Sequence, residues 1–156
     1  MENLEDMFNN CRALYNFDEL KYLNTSLCTN FRNMFRRVKM SNIEALKEWD
    51  VSNCINFIGM FYDFLELKDI TPLKTWNVSK CTDLSNMFNG CKSLSDIKGL
   101  DKWNVSNCED LSGMFNRCLS LSNLNALTNC NVSKCNNLSN MFGSDSPFEK
   151  DIPLYG

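Results

Sequence analysis

The chain has 156 residues, 44% of them apolar and 22% charged, with a formal net charge of -3. That allows one ordinary domain with a continuous core, and it excludes a supercharged chain or a general nucleic-acid binder, which needs a strongly basic surface. The opening MENLEDMFNN is acidic where a secretory leader is basic, no apolar stretch approaches the roughly 20 residues that span a bilayer, and nine cysteines cannot all pair within one chain. The expectation is a soluble protein of a reducing, cytoplasmic compartment, with neither membrane nor nucleic acid among its partners.

The dipeptide Met-Phe begins at Met7, Met34, Met60, Met87, Met114 and Met141, at steps of 27, 26, 27, 27 and 27 residues. Repetition at that period reads as a stack of equal units in a single domain over 1–156. The units run approximately 1–22, 23–48, 49–75, 76–102, 103–129 and 130–156. Other columns keep the same phase. Eleven residues before Met stand Leu23, Trp49, Trp76, Trp103 and Cys130; six before it stand Cys28, Cys54, Cys81, Cys108 and Cys135; three before it stand Leu4, Phe31, Phe57, Leu84, Leu111 and Leu138.

Taken in chain order through the best unit, Trp76-Asn77-Val78-Ser79 reads as an extended piece with an Asx or Ser turn. Asp83 and its equivalents Asn3, Asn30, Asn56, Asp110 and Asn137 read as helix N-caps, because a short side-chain oxygen there accepts an otherwise orphaned backbone amide. Leu84, Met87, Phe88 and Cys91 follow at i, i+3, i+4 and i+7, which predicts a helix of about two turns that Asn89-Gly90 stops. Leu94, Ile97 and Leu100 then recur every third residue, which suits a short strand inside an arc. The fold expected is α/β, a leucine-rich-like solenoid of five to six units, each a short strand or extended arc plus a short helix. Trp49, Trp76, Trp103, the cysteine column, Met87, Phe88, Met114 and Phe115 are its expected structural residues, with the thiols reduced and slow to react.

The stretch WNVSKCTDLSNMFNGCKSL over 76–94 resembles the repeat of BspA-like leucine-rich proteins, a family of mycoplasma-type lipoproteins and bacterial surface proteins with units of about 25 residues. Trp103, Asn104, Val105, Ser106, Met114, Phe115, Cys118 and Leu121 carry the likeness into the next unit. The resemblance implies a binding or adhesion role. It also implies a cell-surface or secreted location, given a leader removed before Met1, and it brings no catalytic residue. Cysteine in the column where that family commonly has Val favours the reducing compartment instead.

Candidate chemistry is sparse. With no histidine a Ser-His-Asp triad is impossible, the six glycines occur singly rather than in a phosphate loop, and no CxxC pair suggests zinc. No cofactor, metal or catalytic residue is expected. Four N-x-S/T sequons at Asn24, Asn77, Asn104 and Asn131 share a column with Asp50, which an Asx turn explains better than glycosylation. Two surface groups remain as binding candidates: a lysine column of Lys21, Lys47 and Lys74, extended by Lys102, and a cluster of Arg32, Arg36, Arg37 and Lys39. The function expected is a non-catalytic protein-protein interaction module with a protein partner. The alternative is a self-assembling structural protein. Any self-association is expected through Met1 to Leu20, since the tail with Pro147, Phe148, Pro153, Leu154 and Gly156 reads as a modest cap.

Overall fold

A computed structural model describes residues 2–144 and 148. In it each Met-Phe pair lies between two residues of left-handed backbone. The residue before Met is Asp6, Asn33, Gly59, Asn86, Gly113 or Asn140, with φ between 52° and 62°. The third residue after Met is Asn10, Arg37, Asp63, Gly90 or Arg117, with φ between 53° and 77°. A left-handed residue in every four breaks any α-helix, and Asn, Asp and Gly accept that conformation most cheaply.

The left-handed residues divide the amides into two sets. Met87, Asn89 and Cys91 donate to the carbonyls of Leu84, Asn86 and Phe88, three residues back, at 3.0–3.2 Å, closing successive tight turns. Leu84, Asn86, Phe88 and Gly90 instead donate to Asp110, Ser112, Met114 and Asn116 of the following unit at 2.8–3.0 Å. The same alternation joins unit two to unit three, where Phe31, Asn33, Phe35 and Arg37 donate to Asn56, Ile58, Met60 and Tyr62. Parallel single-residue bridges link Asn3, Asn30, Asn56, Asp83, Asp110 and Asn137 in one line across the layers.

These observations overturn the expected α/β solenoid of strand-plus-helix units. Among the described residues, β pairing is limited to those isolated bridges, most of the backbone is irregular, and the helices are short 3-10 turns at Asp18–Tyr22, Glu44–Glu48, Thr71–Thr75, Lys98–Leu100 and Asn125–Leu127. The segment expected as a helix over 84–91 is a run of turns, and the one expected as a strand over 94–100 is coil leading into the turn Lys98–Leu100. The physical reason is that burial does not distinguish the conformations. Leu84, Met87, Phe88 and Cys91 are all buried, as the stripe demands, yet turns of four residues bring them to one side as well as a helix does.

Side chains of one column stack layer on layer. The rings of Phe8, Phe35, Phe61, Phe88, Phe115 and Phe142 form a continuous pile with centroids 5.5–5.8 Å apart. Trp49, Trp76 and Trp103 stack at 6.4 Å, nearly parallel. Each indole Nε1 donates back to a carbonyl at the end of the unit two before its own: Trp49 to Leu20, Trp76 to Leu46 and Trp103 to Leu73, at 2.7–3.0 Å. The tryptophans therefore bind the layers together by both area and hydrogen bond.

Three Asn/Asp columns close the turns. Asp83 and its equivalents accept the amide two residues on, as in Ser85 N to Asp83 Oδ1 at 2.8 Å, so they act as Asx turns rather than helix caps. The Asn24, Asp50, Asn77, Asn104 and Asn131 column does the same for Ser26, Ser52, Ser79, Ser106 and Ser133. A third column, Asn16, Asn42, Asp69, Asp96 and Asn123, sits just before the 3-10 turns. At Cys130 the tryptophan column lapses, and an apolar cavity of about 20 Å³ opens there between Trp103, Met114, Val132 and Met141.

Two outcomes follow from this packing. Asn86→Ala would stabilise a helix by a few tenths of a kcal/mol, but at φ 56° it should lower unfolding free energy by about 1–2 kcal/mol, with Asn86→Gly milder; denaturant titration reads the sign. Cys130→Trp should fill the cavity, offer its indole to the Leu100 carbonyl and raise stability by about 1 kcal/mol. An unchanged or lower melting midpoint in that variant would show that the tryptophan column does not extend to this layer.

Candidate functional site

The candidate surfaces are built on these layers. Lys21, Lys47 and Lys74 fall in the last turns of Asp18–Tyr22, Glu44–Glu48 and Thr71–Thr75, and successive turns pack on one another. The lysines thus lie along one side, but they do not form a free basic ridge. Lys21 Nζ sits 4.9 Å from the Tyr22 ring centre. Lys47 pairs with Glu44, whose hydrogen bond pushes the amine pKa up. Lys74 pairs at 3.5 Å with Asp101, the next member of its own column. Lys102 is exposed and has no ion pair among the described residues.

The second cluster is divided by the same turns. Arg32 reaches Glu5 at 3.7 Å. The Arg36 guanidinium carbon sits over the Tyr62 ring, 4.6 Å from its centre, with Nε buried. Arg37 and Lys39 turn the other way, into an open groove of about 430 Å³. Arg12, Lys92 and Arg117 join them there from units one, four and five, around Asp63, Leu65 and Glu66 of unit three. Arg37 pairs with Asp63 at 3.5 Å, and Arg12 Nε donates to Asn10 Oδ1 at 3.1 Å.

Sequence reasoning missed Arg12, Lys92 and Arg117 because none of them belongs to a run of neighbouring cations like that at Arg32 to Lys39. The signal was present in the columns. Arg12, Lys39, Leu65, Lys92 and Leu119 are each fifth after Met, while Arg37, Asp63 and Arg117 are each third.

The thiols lie inside. Cys28, Cys54, Cys81 and Cys108 are buried and Cys135 half-buried, and each Sγ donates to the carbonyl two residues on at 3.3–3.4 Å. Cys91 and Cys118 form a second pair, donating to Phe61 and Phe88 of the preceding unit at 3.2 Å. Burial pushes Cys54, Cys108 and Cys118 up to about 12, Cys81 higher still, and Cys91 well above the ordinary thiol range. At neutral pH these groups are uncharged thiols, and Cys11 alone is exposed. Among the described residues no three Cys, Asp or Glu side chains are grouped to hold a metal ion, and no helix is long and apolar enough to cross a membrane.

The model of the family described as "Mycoplasma protein of unknown function, DUF285" matches residues 2–122 and again 95–155. The chain belongs to the DUF285 family. Two overlapping matches are what an internally repeated DUF285 chain produces, and they support the mycoplasma side of the resemblance read from the Trp-to-Leu motif. No curated protein matches the chain. Among solved structures, an internalin (inlF) from Listeria monocytogenes str. 4b F2365 is 14% identical, with 72% of this chain and 44% of the internalin covered and a TM-score of 0.24. The likeness thus spans under half of the internalin, and at that score it carries no argument about this chain.

The raised thiols make stability depend on alkali. The unfolded chain releases these protons from about pH 8.5, whereas the fold retains them, so stability is flat below that pH and declines above it. Urea midpoints should therefore fall above about pH 9, with each fully buried thiol contributing up to about 1.4 kcal/mol per pH unit. Cys81→Val should flatten the slope by about one such contribution; a slope equal to wild type would show that Cys81 ionises freely in the fold.

Proposed function

We propose that this DUF285 chain is a non-catalytic protein-protein interaction module. The observation that supports it most is the contrast between inner and outer columns. Inward positions repeat Phe, Trp, Leu, Met and Cys from layer to layer, and they are occupied in holding the stack. Outward positions change with each layer, as in Arg12, Lys39, Leu65, Lys92 and Leu119, so a regular scaffold displays an irregular surface. Large apolar side chains at that surface, among them Tyr15, Tyr22, Leu27 and Leu119, suit a protein partner. A sequence pI near 5.0 fits such a partner better than a nucleic acid, and buried unpaired thiols fit a reducing compartment.

Light scattering across a concentration series, followed by capture on the immobilised chain from the cells that make it, tests this reading. A monomer that retains one saturable protein partner is the expected result. Mass that grows with concentration, with no partner retained, would favour self-assembly instead. Charges added at Asn9 and Asn16 would then ask whether the first unit is responsible. The cap expected of Pro147, Pro153, Leu154 and Gly156 lies outside the described residues; Phe148 meets the Phe142 ring edge-on at 6.4 Å.

A further inference from the structure

The groove that the layers assemble at their third and fifth positions after Met collects five cations, Arg12, Arg37, Lys39, Lys92 and Arg117, around two carboxylates, Asp63 and Glu66. The whole chain is net negative, so this is a local reversal of charge. The order of the charges along the stack is more informative than their sum. Units one and two supply cations, unit three supplies Asp63, Leu65 and Glu66, and units four and five supply cations again. Lys39, Lys92 and Arg117 are exposed and form no ion pair among the described residues. Leu65, between the two positive ends, is 46% exposed.

The layer spacing fixes what fits. Neighbouring Phe rings stand 5.8 Å and 5.5 Å apart on the two sides of unit three, so Lys39 and Lys92 lie two layers, or roughly 11 Å, apart along the stack. An extended peptide presents alternate side chains to one face at about 6.6 Å intervals. Three successive same-face side chains of a strand laid along the stack span about 13 Å, close enough to two layers for the flexible lysine side chains to take up the difference and for Lys39, Leu65 and Lys92 to meet them in turn. Arg12 and Arg117 extend the positive ends by one layer each. Asp63 and Glu66 at the centre disfavour a continuous polyphosphate, which would place charge on every layer.

Resting on the interaction-module reading, we infer that this groove binds an extended acidic segment of the partner protein, with carboxylates at both ends and an apolar side chain between them. The partner's acidic side chains pair with Lys39 and Lys92, and its central apolar residue covers Leu65. Arg12 and Arg117 hold further carboxylates where the segment continues.

The test is fluorescence anisotropy with a labelled heptapeptide, Glu-Glu-Ser-Leu-Ser-Glu-Glu, on the full chain. Saturable binding is expected, weakened at least about tenfold by Lys39→Glu with Lys92→Glu and weakened again by added salt. Both lysines are exposed, so an unchanged melting midpoint will show that the variant folds. Leu65→Ser should weaken this peptide and leave a Gly-centred analogue unaffected. Absence of binding, equal binding by the double variant, or tighter binding of a single-stranded RNA of similar length would overturn the proposal. Cellular capture repeated with the double variant separates it from the broader reading. A partner held equally by wild type and variant removes the groove and leaves the module intact, whereas no partner on either removes the module.

Discussion

The left-handed residue at every fourth position of the Met-Phe segment is the constraint on which the rest depends. It turns alternate amides out of their own unit, where nothing can accept them, and aims them at the carbonyls of the next. Each such bond contributes only about 1 kcal/mol net, but leaving a buried amide without a partner costs more. One unit alone therefore has an unsatisfied edge, and stacking removes the penalty.

Stacking in register then makes every position a column, and the column decides which residues it accepts. Phe on Phe and Trp on Trp gain ring contact as well as burial. Small differences between layers are coupled in the same way. Asn33, Gly59, Asn86 and Gly113 alternate before Met, and a Cβ at Gly59 or Gly113 would lie about 2.6 Å and 2.5 Å from the amide oxygen of Asn33 or Asn86 in the layer before. The side chain of one layer fills space that the next leaves open. Where a column lapses, as at Cys130, the deficit appears as a cavity rather than a rearrangement.

The repeat, its phase and its buried set could be read from the sequence, because periodic burial writes itself directly into residue type. The backbone conformation could not be read from that stripe, since Leu84, Met87, Phe88 and Cys91 face inward in either a helix or a run of turns. The deciding signal lay in the neighbouring columns. Asp6, Asn33, Gly59, Asn86, Gly113 and Asn140 are the residue types that take positive φ, and they stand where a helix would favour Ala or Leu. Arg37 and Arg117 obscured the second such column, because arginine does not advertise a left-handed backbone. The charged groove was hidden for a related reason: its members are far apart in sequence and meet only when units stack, whereas the lysine column, legible as a stripe, is neutralised at Lys47 by Glu44 and at Lys74 by Asp101.

A surface assembled one residue per layer is only as well ordered as the ladder between layers. Amide hydrogen exchange resolved at Leu84, Ser85 and Asn86 tests that ladder most directly. The Leu84 and Asn86 amides, bonded to Asp110 and Ser112 of the next unit, should exchange only with global unfolding, while Ser85, held by the Asp83 side chain alone, should exchange faster. A helix beginning at Leu84 leaves all three amides without backbone partners. Uniformly rapid exchange at the three would contradict the interlayer ladder and the account built on it.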